Sequence, residues 1–201
     1  MNTTPSDAQD QADMERLALD YDAALEALMA RHSEKLFHYL IRLLQNESAA
    51  ADLAQETFVR VYQNRRRFKS QNKFSTWLYA IATNLARDRI RWLTRHPNVS
   101  LESNTEDSDG LTNILPDTKP TPHESLETDE RTAAVRRAIA DLPEELRAPL
   151  VLAEYEDQSH AEIAAVLECS PKAVEMRIYR ARQQLRASLT AYLTPAEISS
   201  R

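Results

Sequence analysis

Glycine is almost missing from this sequence: Gly110 is the only one in 201 residues. Tight hairpins, phosphate-cradling loops and doubly wound sheets all draw on glycine for positive φ. With Ala, Leu, Arg and Glu abundant in its place, the absence points to an all-α protein and excludes a P-loop or dinucleotide fingerprint. Cysteine is as scarce. Cys169 stands alone, so no internal disulfide can form and the chain suits a reducing compartment. Long apolar runs are missing too, and the N-terminus MNTTPSDAQDQAD has none of the basic and apolar regions of a signal peptide. No membrane insertion is expected, and the expected location is cytoplasmic. The five histidines (32, 38, 96, 123 and 160) are scattered, and the nearest His/Cys pair is His160 with Cys169. Structural zinc needs about four converging ligands. With no nucleophile–base arrangement either, the expectation is no catalytic residue, no metal and no cofactor.

What is present is a core-forming hydrophobic fraction of 42% and an uneven distribution of charge. The total of −6 conceals segments of opposite sign: 1–30 carries −6, 60–95 carries +9, 97–130 carries −8 and 171–201 carries +4. Two basic segments separated by an acidic connector suit contact with phosphate at two places. The periodicity divides the chain accordingly. Residues 1–13 read as a disordered tail and 14–96 as a helical domain. Residues 97–130, with four prolines and the only glycine, read as a flexible acidic linker; 131–190 is a second helical domain and 191–201 a tail. In the first domain two helices are expected over 14–44, breaking near 29–33. A turn follows at 45–48 with Ser48 as a cap, then a helix from about 49 to 63, a basic loop NRRRFKSQNK, and a long helix stopped by Pro97. The fold expected is therefore two small helical domains joined by an acidic linker, the second a four-helix unit.

The richest stretch is HAEIAAVLECSPKAVEMRIYRARQQLR, residues 160–186. A short apolar helix, a break at 168–170 and a second helix opened by Ser170-Pro171 make the layout of a helix-turn-helix. Val174, Ile178, Ala181 and Leu185 form a buried face. Lys172, Ala173, Glu175 and Met176 are placed to read bases from the first turns, with Arg177 and Arg180 nearer the phosphates. A second constellation lies at 60–95, where ten Lys/Arg face one acid, Asp88, with aromatics interleaved. Basic charge follows a phosphate backbone, and exposed rings stack on unpaired bases. Phe68 and Phe74, at the loop edges, are the candidate platforms, with Arg67 and Lys73 beside the backbone; Trp77 has core spacing. In the helix at 49–63, Asp52, Gln55 and Glu56 lie on one polar stripe.

Three blocks, DLAQETFVRVYQ, RFKSQNKFSTWLYAIATNLARDRIR and DLPEELRAPLVLAEYEDQSHAEIAAVLECSPKAVEMRIYRARQQLR, occur in this order. Together they resemble the extracytoplasmic-function (ECF) sigma factors of bacterial RNA polymerase. The resemblance implies that Asp52, Gln55 and Glu56 dock on the β′ clamp helices of the core enzyme. It implies that Arg67, Phe68, Lys73 and Phe74 melt the −10 element and capture a flipped base, while Asn84, Arg87 and Arg91 meet DNA at its upstream edge. The helix-turn-helix then reads −35 DNA beside the β flap, and an anti-sigma factor is an expected partner. The chain departs from the family at Glu168, where a glycine is usual, and at Ala173, Glu175 and Met176, where Thr, Lys and Ser are common, so base preference does not transfer. The competing function is a stand-alone helix-turn-helix regulator, which would bind its operator without core polymerase and would leave 49–95 without a task.

Overall fold

The computed structural model describes residues 5–96 and 122–190, and every regular element among them is helical. The helices are α1 (Pro5–Ala18), α2 (Ala23–Leu44), α3 (Glu47–Gln63), α4 (Phe74–Arg95), α5 (Pro122–Ala140), α6 (Glu144–Glu154), α7 (His160–Val166) and α8 (Pro171–Ser188). A single 3-10 turn, Arg65–Arg67, joins α3 to the loop before α4.

Local chemistry sets the ends. Asn46, not Ser48, caps α3, its side chain accepting from the Ala49 amide at 2.7 Å. Ser159 and Glu162 form a reciprocal capping box on α7. Ser170 accepts from the Ala173 amide at 3.2 Å, and Pro171 occupies the first turn of α8.

The N-terminal segment differs from expectation. Residues 5–13 are not a tail but the greater part of α1. Its apolar anchorage is thin, with Met14 and Leu17 in the core. The rest is ionic. Asp10 and Asp13 are buried and receive Arg31 at 2.8 and 2.6 Å, and Asp10 also meets His32 Nε2 at 2.7 Å. Such a pair is weak as a source of stability but costly to break, about 3–5 kcal/mol when one partner is removed. Arg31 and His32 lie inside α2, which runs unbroken through 29–33 where a break was expected. The chain turns instead at 19–22, with Asp20 in the left-handed region at φ 66°. Of the expected linker, 122–130 opens α5. Residues 97–121 lie outside the described residues, as do 1–4 and 191–201.

Helices α1–α4 close around Leu28, Leu36, Tyr39, Leu40, Phe58, Val61 and Leu78; α5–α8 close around Leu146, Leu150, Leu152, Ile163, Val174 and Ile178. The two units then pack together, α4 on α7 and α2 on α6, and their buried apolar residues merge. Polar contacts stitch the seam. Arg147 donates to the Leu43 carbonyl across it at 2.6 Å, and to the carbonyls of Leu142 (2.7 Å) and Ala140 on its own side. The Arg42 guanidinium stacks on the Tyr155 ring at 4.1 Å.

Candidate polymerase and nucleic-acid surfaces

The first surface is the outer face of α3. Ala50, Ala54, Thr57, Phe58 and Val61 are turned inward. That periodicity leaves Asp52 and Gln55 exposed, with Glu56 half-exposed beside them. Glu56 accepts from Arg60 at 2.8 Å, one turn away, which holds its carboxylate at the surface. Val59 adds an apolar side chain that is 47% exposed. The three residues expected on this stripe do share one accessible face.

The second surface is a cavity of about 300 Å³ lined by Arg60, Asn64, Arg67, Trp77, Ile81 and Asn84. Trp77, Ile81 and Asn84 follow one another at spacings of four and three along α4, so one edge of the helix forms its wall. Arg67, from the 3-10 turn, stands across from them. Its backbone N–H closes the turn on the Asn64 carbonyl at 2.8 Å, and its guanidinium makes no hydrogen bond or ion pair among the described residues. An aromatic ring, a side-chain amide and a guanidinium around one opening suit an unstacked base and its phosphate. Arg67 and Asn84 were expected here. Trp77, Ile81, Asn64 and Arg60 were missed, although the 77–81–84 stripe was open to detection because it ends in an amide.

Four other expected −10 residues sit differently. Phe74 is not a stacking platform. It is 2% exposed, at the first position of α4, edge-on to His32 at 5.1 Å and beneath Trp77. Phe68 is half-buried, 5.3 Å from Trp77 and 6.3 Å from Phe74 between ring centroids, and so supports the Trp77 wall. Lys73 pairs with Glu162 of α7 at 2.8 Å and with Asp7 of α1 at 3.6 Å. The Glu162 hydrogen bond holds the Lys73 ammonium above its usual pKa range, against the cost of burial. Arg87 donates to Glu144 at 2.9 Å and is mostly covered. Arg91 remains exposed, loosely paired with Asp88 at 3.5 Å.

The seam thus covers part of α4, and its far side is acidic. Glu144, Glu156 and Glu162 of the C-terminal unit meet Arg87, Tyr79 and Lys73 of the N-terminal unit. Tyr79 donates to Glu156 at 2.5 Å. Burial pushes the Glu156 carboxyl above the usual carboxylate range, more than Tyr79 and Arg42 lower it.

The third surface is the helix-turn-helix, α7 and α8. Cys169 N–H donates to the Ala164 carbonyl at 3.0 Å, closing the turn, and Glu168 takes φ 52° there, where glycine would carry no penalty. Val174, Ile178 and Ala181 are buried and Leu185 is half-buried, the face read from spacing. Lys172, Glu175, Met176 and Arg180 point outward, while Ala173 is half-covered. Arg177 is half-buried against the Cys169 sulfur at 3.8 Å. Lys172 and Glu175 pair at 2.9 Å, which lowers the Glu175 pKa. Tyr179, 57% exposed, shares this surface and was not foreseen.

A polar docking stripe, a base-sized opening with basic and aromatic walls and a helix-turn-helix define a DNA-directed transcription protein. Comparison with known proteins narrows the class. Residues 28–96 match the Sigma-70 region 2 family and residues 132–185 match Sigma-70, region 4. The chain is 33% identical over 190 residues to the RNA polymerase sigma-H factor of Pseudomonas aeruginosa, covering 94% of this chain and 97% of that one. It is 35% identical over 161 residues to the ECF RNA polymerase sigma factor SigW of Bacillus subtilis, covering 79% and 84%. Among solved structures it resembles CnrH in its complex with the cytosolic domain of CnrY, with a TM-score of 0.67 and 27% identity over 91% of this chain and 98% of that one. The chain belongs to the ECF RNA polymerase sigma factors.

Proposed function

We infer that this ECF sigma factor, which binds core RNA polymerase and directs initiation at specific promoters, divides that work among the three surfaces. The α3 stripe of Asp52, Gln55 and Glu56 docks on the β′ clamp helices. The Arg67–Trp77–Asn84 opening receives an unstacked base of the −10 strand, with Arg91 on the duplex upstream. The outward face of α8 reads −35 DNA while its unit sits at the β flap. The observation that carries this reading is the opening on α4, which brings a ring, an amide and a cation to one place. No helix among the described residues is long and apolar enough to cross a membrane, and a partnership with polymerase implies a cytoplasmic location. The likeness to CnrH, which was solved with the cytosolic domain of CnrY, supports an anti-sigma partner here too.

The described arrangement is not the DNA-bound one. Lys73 and Arg87 are engaged by Glu162 and Glu144, so α4 meets duplex DNA along that side only after the units part. Transcription reconstituted with purified core enzyme tests the reading. Initiation is expected to require both proteins, and Glu56→Lys is expected to weaken core binding with helicity unchanged, since an exposed polar stripe contributes little to folding. Unchanged core affinity removes α3 from the interface.

A further inference from the structure

Helix α1 lies before the residues that match the sigma-70 region 2 family, which begin at 28. It nevertheless touches both ends of the loop that leads from α3 into α4. At one end, Asp20, in the turn after α1, accepts from Arg65 at 2.5 Å through one oxygen and from Arg66 at 2.7 Å through the other. Arg65 is committed further. It donates to the Tyr62 carbonyl at 2.8 Å and stacks on the Tyr62 ring at 4.3 Å. At the other end, Asp7 reaches Lys73 at 3.6 Å. The helix between these contacts is pinned by the buried Asp10, Asp13, Arg31 and His32 cluster.

We propose that Asp20 is a positioning residue for −10 strand capture: by holding Arg65 and Arg66 it fixes the 3-10 turn so that Arg67 stands opposite Trp77 and Asn84. The proposal rests on the reading of that opening as the base site. The three arginines of the turn then have unlike tasks. Arg65 is structural, Arg66 is half of the Asp20 fork, and Arg67 is left for DNA. Three features single out this contact from an ordinary surface pair. One carboxylate receives two guanidiniums, one on each oxygen. All three nitrogens of the Arg65 guanidinium are engaged, two by Asp20 and one by the Tyr62 carbonyl. The carboxylate is carried by a residue in the left-handed region, where Asp and Asn are among the few side chains tolerated. The Asp20 carboxyl is held below its usual range mainly by the Arg65 hydrogen bond, consistent with a persistent contact.

The test uses full-length protein assembled with core polymerase. The probe is a fluorescent single-stranded oligonucleotide carrying the non-template −10 strand of a promoter that the wild-type holoenzyme transcribes. Asp20→Asn keeps the backbone preference and removes the charge. It is expected to weaken oligonucleotide binding about fivefold, the scale of a well-formed exposed ion pair. Core affinity and binding to a −35 duplex are expected to stay at wild-type values, the melting temperature to fall by no more than about 2–4 °C, the worth of the pair itself, and Asp20→Glu to restore most of the loss. Arg67→Ala and Asn84→Ala separate the two layers. If both weaken oligonucleotide binding while Asp20→Asn does not, the brace is wrong and the site stands. If neither does, the base site fails and the proposal fails with it. A parallel loss of core binding and melting temperature in Asp20→Asn overturns it as a folding effect. Tighter oligonucleotide binding overturns it as well, because Asp20 would then be competing with DNA.

Discussion

Replacing Tyr79 by Phe removes one hydroxyl from the seam and little else. The Tyr79 ring is 4% exposed and lies edge-on to Tyr39 at 5.1 Å, contacts that Phe preserves. Its hydroxyl donates to Glu156 across the units. A hydrogen bond to a charged group contributes about 1.5–3 kcal/mol, and its loss leaves a partly buried carboxylate short of a donor. Arg42 and Lys35 still bear on Glu156, so the lower end applies. About 1.5 kcal/mol corresponds to roughly a tenfold change in the ratio of joined to parted units. Nitroxides on cysteines introduced at the exposed positions Gln55 and Gln184, in a Cys169→Ala background, report the distance between the units by pulsed electron resonance. The odds of the long-distance population are expected to rise about tenfold in Tyr79→Phe, and apparent core affinity to improve by no more than that factor. If the distance distribution is unchanged while the melting temperature falls, the bond supports the N-terminal unit alone and the reasoning is refuted.

Glu156 gives the pH dependence. Its carboxyl holds a proton more tightly in the joined state, so the contact is strongest below the ordinary glutamate pKa and weakens as pH rises through the raised value. The same distance measurement is expected to show parting across that window, and Glu156→Gln to abolish the change. Glu162 has the opposite sign. Burial raises its pKa, but the hydrogen bonds from Lys73 and Ser159 lower it more, so its contribution is lost only on acidification through a depressed value. Arg147→Met strips a guanidinium from three backbone carbonyls. A loss of about 3 kcal/mol, or about 6–12 °C in Tm at roughly 2–4 °C per kcal/mol for a chain of this size, is expected by calorimetry, and a shift under about 2 °C, the worth of less than about 1 kcal/mol, would show that water replaces the side chain. At the helix-turn-helix, Arg180→Ala is expected to reduce the salt slope of promoter binding by about one unit for every sequence. Glu175→Gln is expected to change the preference at one −35 position, scored with a randomised promoter library.

Elements whose signals are local were legible from the residues alone. Ser170-Pro171 acts within the first turn and the 174–178–181 apolar register within two turns of the same helix, so α8 stands where spacing put it. Residues 5–13 of α1 read as a tail because their anchors are carboxylates whose partners, Arg31 and His32, lie about twenty residues on; only tertiary pairing turns Asp10 and Asp13 into core residues. The same distance effect explains α2. His32-Ser33-Glu34 looks polar enough to break a helix, yet His32 faces Asp10. Phe74 was taken for a platform by its position at a loop edge, but the first turn of α4 points inward. No periodicity could show that Lys73 and Arg87, read as DNA-facing, meet glutamates eighty-nine and fifty-seven residues away.

Helix α4 carries two neighbouring faces, roughly a quarter to a third of its circumference apart at about 100° per residue. Tyr79 and Arg87, with Lys73 at the N-cap, look toward the C-terminal unit, whereas Trp77, Ile81 and Asn84 look into the open cavity. Occupancy of the cavity and separation of the units therefore engage different side chains of one helix. A single-stranded ligand can enter while the acidic face still shields the neighbouring flank, and the units can part around an empty cavity. Two contacts carried by different side chains allow four combinations, and which forms first at a promoter is then a question of rates.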